Sequence, residues 1–221
     1  MHLKIATAVG ATALLLAACG PSEASQRVDG PLIGPARAAA RADLEREAMQ
    51  GQVVPMPVNA ADLDLAAENH DYGRLRQQMA AVDDLMLLLN WGKVTVFKGG
   101  GYAVTQFYAQ DLWAMGQAYE RAALRDPAEA AMANRAADTL KSMSAMMALY
   151  ALVAIQEDGL RCTDGEASRK HFDDAVRSQE PMFAYLRAKP EAERRDTFAR
   201  VAGLRTKITR VRARDTWLCE S

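Results

Sequence analysis

One long helical stretch constrains the fold of this 221-residue chain more than any other feature. Asp126-Pro127 is typical of a helix start, because aspartate caps the first turn and proline suits the first helical position. Beyond it, apolar residues recur every three or four positions and would share one helix face. These residues are Met132, Ala136, Leu140, Met143, Met147, Tyr150 and Ala154. Residues 145–155 are apolar on all sides, which predicts a central helix buried by several neighbours and ended by Gly159.

The rest of the chain predicts further helices around this one. Alanine, leucine, methionine and arginine are abundant and β-branched residues are sparse, which favours helix. We expect helices over residues 36–50, 62–91 and 102–125, with Tyr72 as an alternative start for the second of them. A further helix is expected after Gly165, bent or restarted at Pro181, and a last helix begins at Pro190. The predicted fold class is all-α, a single-domain bundle of four to six antiparallel helices over residues 36–221, with one Gly-rich extended loop.

That loop is expected between Gly92 and Gly101. Residues 93–97 form the only strand-like run of the sequence, but a single short strand has no partner, so an extended loop is the better prediction. The glycines 99–101 beside Lys98 suggest a phosphate-binding loop. They lack the Gly-Lys-Ser/Thr that completes such a loop, so a hinge or tight turn is the preferred interpretation.

The N-terminus has the order of a secretory signal. Lys4 precedes an apolar segment from Ile5 to Leu16, which is shorter than the ~20 residues that a spanning helix needs. Leu16-Ala17-Ala18-Cys19 resembles the lipobox of bacterial lipoproteins. The resemblance implies that residues 1–18 are a signal peptide that is removed, and that Cys19 is the lipid anchor and carries palmitate. The alternative is an ordinary signal peptide with a stray cysteine.

The same resemblance implies a place in the cell. Residues 19–35 would be a flexible tether between the membrane and a domain in the periplasm. Gly20 follows the cysteine where the enterobacterial sorting rule for inner-membrane retention has aspartate, which favours the outer membrane. The membrane, reached through the lipid on Cys19, is then the first expected partner. The net charge of −1 gives no indication of nucleic-acid binding.

Two cysteines remain after Cys19 is assigned to lipid. In an oxidising compartment, Cys162 and Cys219 are expected to form a disulfide that ties the tail to the loop after the central helix. Two free buried thiols are the alternative, and they become the better interpretation if the lipobox assignment is wrong.

No catalytic or metal motif stands out. His70 and His171 lack ligand spacing, and His171 with Asp173 and Asp174 is a partial metal site at best. Asp111 is expected to pair with an arginine of a neighbouring helix, since an unpaired buried carboxylate is costly.

Clustered methionines suit Cu(I) but also fill irregular cores, and core packing is preferred. They are Met115, Met132, Met143, Met146 and Met147. We therefore predict no cofactor and no enzymatic activity.

Two stretches are candidates for a partner surface. The first is the aromatic and basic stretch before α-helical spacing resumes at residue 102, and the second is the basic end of the chain. The candidate residues are Trp91, Lys93, Lys98, Tyr102, Arg205, Arg210, Arg212 and Arg214. Each stretch also has a structural interpretation. The aromatic residues of the first stretch would pack on the bundle. The cations of the second would compensate the helix dipole and pair with Asp62, Asp64, Asp83 and Asp84.

These observations predict a lipid-anchored envelope protein with a non-catalytic domain for binding or assembly with an envelope protein. The alternative is a periplasmic carrier of copper or of a small ligand inside the bundle. A packed interior with an exposed patch would favour the first function, whereas a large pocket lined by polar groups would favour the second.

Overall fold

A computed structural model describes residues 32–212 and 214–219. The lipobox-like segment, Cys19 and most of the expected tether therefore lie outside the described residues. The described part forms nine α-helices and one short 3-10 helix, which confirms the all-α class. The helices are α1 (Gly34–Ala48), α2 (Ala60–Glu68), α3 (Tyr72–Ala80), α4 (Leu85–Phe97), α5 (Tyr102–Arg125), α6 (Ala130–Gly159), α7 (Gly165–Ser178), α8 (Glu180–Ala188) and α9 (Glu191–Ile208). The 3-10 helix is Thr216–Cys219.

Helices α5 and α6 form an antiparallel hairpin at the centre of the bundle. The Ser144 hydroxyl donates to the Ala109 carbonyl at 2.6 Å, and Lys141 forms an ion pair with Glu120 at 2.5 Å. With 24 and 30 residues, the two helices are about 36 and 45 Å long. As expected from its apolar stretch, α6 is the central helix: it packs against α5, α7, α8 and α9, and Tyr150 is only 1 % exposed.

The other helices complete an up-and-down bundle. Gln106 of α5 bonds Ser178 at the end of α7, and Trp113 packs edge-on against Tyr185 of α8, so α7 and α8 together run alongside α5. Helix α9 returns in the direction of α6, and α4 runs antiparallel to α5. Five antiparallel rods result, with α1 packed against α4 at the side. The smaller helices α2 and α3 pack against each other.

The predicted helix over 62–91 is three helices, because two aspartates cap new starts within it. Asp71 accepts a hydrogen bond from the Arg74 amide at 3.0 Å, and Asp84 accepts one from the Met86 amide at 2.8 Å. Between α2 and α3 the chain reverses through His70, whose φ of +55° is unusual for a residue with a side chain.

The predicted extended loop over 92–101 is wrong over most of its length, since α4 continues to Phe97. Gly92 lies inside this helix because α5 approaches it closely: a Cβ there would come within 2.8 Å of the Tyr108 ring. Val94 and Val96 are buried against the bundle, and this packing outweighs their β preference. Only residues 98–101 form the connection.

By length and composition alone, α6 is apolar enough to cross a membrane, and it is the only described helix that passes this test. Half of its most apolar stretch is buried inside the domain, as expected for the core helix of a bundle.

Candidate functional site

A C-terminal segment, residues 209–212 and 214–219, covers one end of the bundle, which we call the closed end. Here the segment meets the start of α5 and the end of α6. Cys162 and Cys219 lie at disulfide distance, with their Cα atoms 5.3 Å apart, and they join the segment to the loop after α6. Within the segment, Val211 and Leu218 are fully buried against the bundle.

Asp215 is the group that connects the segment to α5. Its carboxylate accepts a hydrogen bond from the Tyr102 amide at 2.9 Å, at the helix N-terminus, where backbone N–H groups lack helical partners. Its own amide donates to Asp158 at 3.1 Å. Burial and the nearby Asp158 raise the pKa of Asp215, although the Tyr102 amide, Arg212 and His70 act in the opposite direction.

The glycines at 99 and 101 allow this close approach. Gly99 has a φ of +90°, and a Cβ there would come within 2.9 Å of the Arg212 backbone. A Cβ on Gly101 would come within 2.4 Å of an Asp215 carboxylate oxygen. The glycine run is thus a tight turn, and the C-terminal segment lies against it. Of the two interpretations offered by the sequence, a hinge or a tight turn, the structure supports the turn.

A buried ion pair lies behind Asp215. Arg212 is 7 % exposed and bonds Asp158 through both terminal nitrogens, and it also contacts Glu157 at 3.1 Å. Glu157 in turn pairs with Arg205. Burial opposes the charge of Arg212, but Asp158, Tyr150 and Glu157 outweigh it, and its pKa is raised. The acidic partners of these arginines are thus Glu157 and Asp158 rather than the four aspartates suggested by the sequence.

Aromatic rings collect around Trp217. Its ring stacks on Tyr102 at 5.1 Å, packs against Tyr72 at 5.0 Å and meets His171 edge-on at 4.7 Å. The Tyr102 hydroxyl lies 3.4 Å from His171 Nδ1. Burial and Asp215 raise the pKa of Tyr72 and of Tyr102, and burial lowers that of His171.

His70 reaches the same cluster from the turn between α2 and α3. Its Nδ1 lies 2.9 Å from the Tyr72 hydroxyl and 3.7 Å from an Asp215 carboxylate oxygen. The histidines and the C-terminal Asp215 and Trp217, which are distant in sequence, therefore meet at the closed end. The arrangement brings ionisable side chains together. It also fixes the C-terminal segment to the N-termini of α3 and α5 and to the C-terminus of α6.

The predicted partner surface is only partly a surface. Trp91, Tyr102 and Arg212 are at most 7 % exposed, and Trp91 donates its indole N–H to Asp64 at 2.8 Å. These three residues cannot present a docking face, because they are packed into the bundle. Lys98, half-buried, lies 4.0 Å from Glu45.

The remaining predicted surface residues differ in their surroundings. Lys93 and Arg214 are half-buried, Arg205 is exposed but paired with Glu157, and Arg210 is exposed without an ion pair among the described residues. Four of the predicted residues, Arg205, Arg210, Arg212 and Arg214, thus lie at the closed end. The eight predicted residues together do not form one exposed basic face.

The expected partner of Asp111 is absent: this residue has no arginine partner and no hydrogen bond within the described part of the chain, and burial raises its pKa to about 6. The methionines follow the preferred interpretation of core packing with one exception. Met147 is buried and Met115, Met143 and Met146 pack against the core, whereas Met132 is 59 % exposed. Among residues 32–212 and 214–219, no group of three or more His, Cys, Asp or Glu side chains is placed to hold a metal ion.

No protein-family model, no curated protein and no solved structure matches the chain.

Proposed function

We propose that this chain is a lipid-anchored protein of the bacterial cell envelope whose helical domain binds an envelope protein and catalyses no reaction. The anchor rests on the resemblance of Leu16-Ala17-Ala18-Cys19 to a lipobox. The cysteine pair at 162 and 219 supports an oxidising compartment such as the periplasm, because such pairs persist there. Gly20 after the cysteine favours the outer membrane.

The binding function is carried by the free end of the α5–α6 hairpin. Beyond the level of α8 the two helices bury little except alanines 123, 133 and 137 against each other. At the same level of the hairpin, Leu124 is 84 % exposed and Met132 is 59 % exposed. Large apolar side chains that remain in water on a projecting pair of helices favour a surface that a protein partner covers.

The anchor is tested by the variant Cys19→Ala. We expect the wild-type chain in the membrane fraction with lipid on the N-terminal cysteine of the mature protein, as read by mass spectrometry. The variant should lose that lipid and the tight attachment to the membrane. A wild-type protein without lipid on Cys19 would show that the lipobox assignment is wrong.

The binding surface is tested by a photoreactive amino acid in place of Leu124 in cells. We expect one discrete protein adduct in the intact envelope, which is lost when Met132→Ser is added. Val58, which is fully exposed in the loop before α2, is the matched control site and should give no such adduct. Equal labelling from both sites, or none from Leu124, would contradict the binding function.

A carrier of a small polar ligand is the second candidate, and Gln179 is the observation that favours it. This residue is fully buried between α7 and α8, and neither atom of its amide has a hydrogen-bond partner within the described residues. A polar ligand in the bundle would satisfy both atoms. Native mass spectrometry of the purified chain should then show a bound mass that Gln179→Leu removes.

A further inference from the structure

The described chain begins at the closed end of the bundle. The Leu32 amide donates to the Arg210 carbonyl at 2.9 Å, and the Arg37 side chain donates to the Val211 carbonyl at 2.8 Å. Residues 20–31 separate Cys19 from Leu32, and a tether of that length, as expected from the sequence, would span about 20 Å on average. If Cys19 carries lipid, the domain is therefore attached to the bilayer at its closed end.

The same end has exposed cations that the domain does not neutralise. Arg161 follows α6 by two residues, Arg169 and Lys170 lie in the first turns of α7, and Arg210 follows α9. All four are exposed and form no ion pair with any described residue. The start of α7 belongs to this end, because a Cβ on Gly159 would come within 2.8 Å of the Ser168 side chain.

The neighbouring acids compensate only part of this charge. Glu47 and Glu157 are already paired with Lys207 and Arg205, and Asp158 is paired with Arg212. Asp164, Glu166 and Asp173 are exposed around the start of α7 and form no ion pair with any described residue, so they offset part of the charge of Arg169 and Lys170. The four cations outnumber these three acids, which leaves a small excess of positive charge at this end although the chain as a whole carries a net charge of −1.

Two large apolar side chains accompany the cations. Ile33, next to the Leu32–Arg210 contact, and Leu160, next to Arg161, are each 80 % exposed. Apolar residues among unpaired cations are the combination with which peripheral proteins contact anionic membranes: the apolar groups enter the headgroup region and the cations meet lipid phosphates.

From this placement we infer that the closed end is a membrane-contact surface, in which Ile33 and Leu160 enter an anionic lipid headgroup layer and Arg161, Arg169, Lys170 and Arg210 bind its phosphates. The inference rests on the proposed lipid anchor and adds an orientation to it. The α5–α6 hairpin then points away from the bilayer, because its turn lies at the opposite end of α6, about 45 Å from Gly159.

The test uses the full-length lipidated protein in vesicles of phosphatidylethanolamine and phosphatidylglycerol, with photoreactive benzoyl-phenylalanine in place of Leu160. Its matched control carries the same group in place of Leu124, a leucine that is equally exposed at the other end of the bundle. We expect lipid adducts from position 160 and few from position 124. Vesicles of phosphatidylcholine alone should lower the yield at position 160.

Charge removal completes the test. The triple variant Arg161→Gln/Arg169→Gln/Arg210→Gln should lower the lipid adduct yield at position 160 by about tenfold or more. Arg121→Gln/Arg125→Gln/Arg135→Gln should not change it; this variant neutralises three exposed arginines on the hairpin that form no ion pair with the part of the chain the structure describes. Helical circular dichroism confirms that both variants are folded.

Three results would overturn the inference: equal lipid labelling from positions 124 and 160, protein instead of lipid adducts at position 160, or an unchanged yield in the first triple variant. Failure of the anchor itself looks different, because the purified chain would then lack lipid on Cys19. A lipidated chain that fails to label lipid at position 160 contradicts the orientation alone.

Discussion

At the scale of single residues, Asp111 is the carboxylate that the fold leaves unpaired. It lies half-buried on α5, and burial raises its pKa from 3.8 to about 6. The folded protein therefore holds a proton on Asp111 between these pH values, whereas the unfolded chain has released it. Stability falls as the pH rises through this interval, and the cost of the buried charge is complete above it.

We predict that Asp111→Asn stabilises the protein at neutral pH. The shift corresponds to at most about 3 kcal/mol, and partial hydration reduces the expected gain to about 1 to 2 kcal/mol. The gain should shrink between pH 6 and pH 4 and vanish below it, where the wild-type carboxyl is protonated. Urea unfolding followed by circular dichroism at several pH values measures both quantities.

Asp173→Asn is the matched control for this prediction. Asp173 is exposed on α7 and forms no ion pair or hydrogen bond with the described residues, so its substitution should leave the free energy of unfolding nearly unchanged at every pH. An Asp111→Asn variant that is less stable than the wild type at pH 7 would show that the carboxylate makes a favourable interaction there.

At the scale of secondary-structure elements, the N-terminus of α5 depends on the glycine before it. Gly101 precedes the helix, and Asp215 accepts the hydrogen bond from the first helical amide, that of Tyr102. Gly101→Ala would place a methyl group 2.4 Å from the carboxylate and displace it. We predict a loss of about 1 to 3 kcal/mol in the free energy of unfolding, as for other overpacked sites.

Gly203→Ala provides the comparison. Gly203 lies within α9, and a Cβ there would meet no atom within 4 Å. Alanine is the better helix former, so thermal unfolding should show a gain of up to about 1 kcal/mol. A Gly101→Ala variant as stable as Gly203→Ala would mean that Asp215 does not need to approach the helix so closely.

The elements could be predicted where local chemistry decides them. The central helix follows from its apolar periodicity, but the predicted start at Asp126-Pro127 is wrong: the helix begins at Ala130, and Asp126 instead accepts a hydrogen bond from the Ala128 amide at 3.0 Å in the turn before it. Pro190 directly precedes α9, as predicted, and Asp71 and Asp84 carry a capping signal for the starts of α3 and α4. The helical state of residues 92–97 could not be predicted in this way. Gly92 and the valines after it disfavour helix locally, and long-range packing outweighs this preference: Gly92 lies against Tyr108 of α5, and Val94 and Val96 are buried in the bundle.

At the scale of the whole molecule, the closed end gathers residues that no local pattern connects. His70, His171 and Trp217 come from three distant segments of the chain and meet only in the folded domain. The two cysteines were the one feature of the sequence that predicted a contact between residues 162 and 219. That pairing implied the position of the tail, but not the burial of Asp215 or its contact with α5, since long-range packing decides both.

The cysteine pair should therefore be a main support of the closed end. Residues 162 and 219 are 57 positions apart, and a cross-link of that length is worth about 4 kcal/mol in the chain-entropy model. We predict that the variant Cys162→Ser/Cys219→Ser unfolds at a clearly lower temperature than the wild type. Mass spectrometry of unreduced peptides should show the two cysteines joined in the wild type.

Removing the disulfide should first loosen the closed end and leave the centre of the bundle folded. In the double-serine variant, hydrogen exchange should become faster at the Tyr102 amide, because its acceptor Asp215 is carried by the released segment. Amides in the middle of α6, such as that of Ala148, should stay protected, since Ala148 is fully buried in the core. Two alkylatable thiols in the wild type, or equal exchange at Tyr102 in both proteins, would contradict a disulfide that holds the segment against α5.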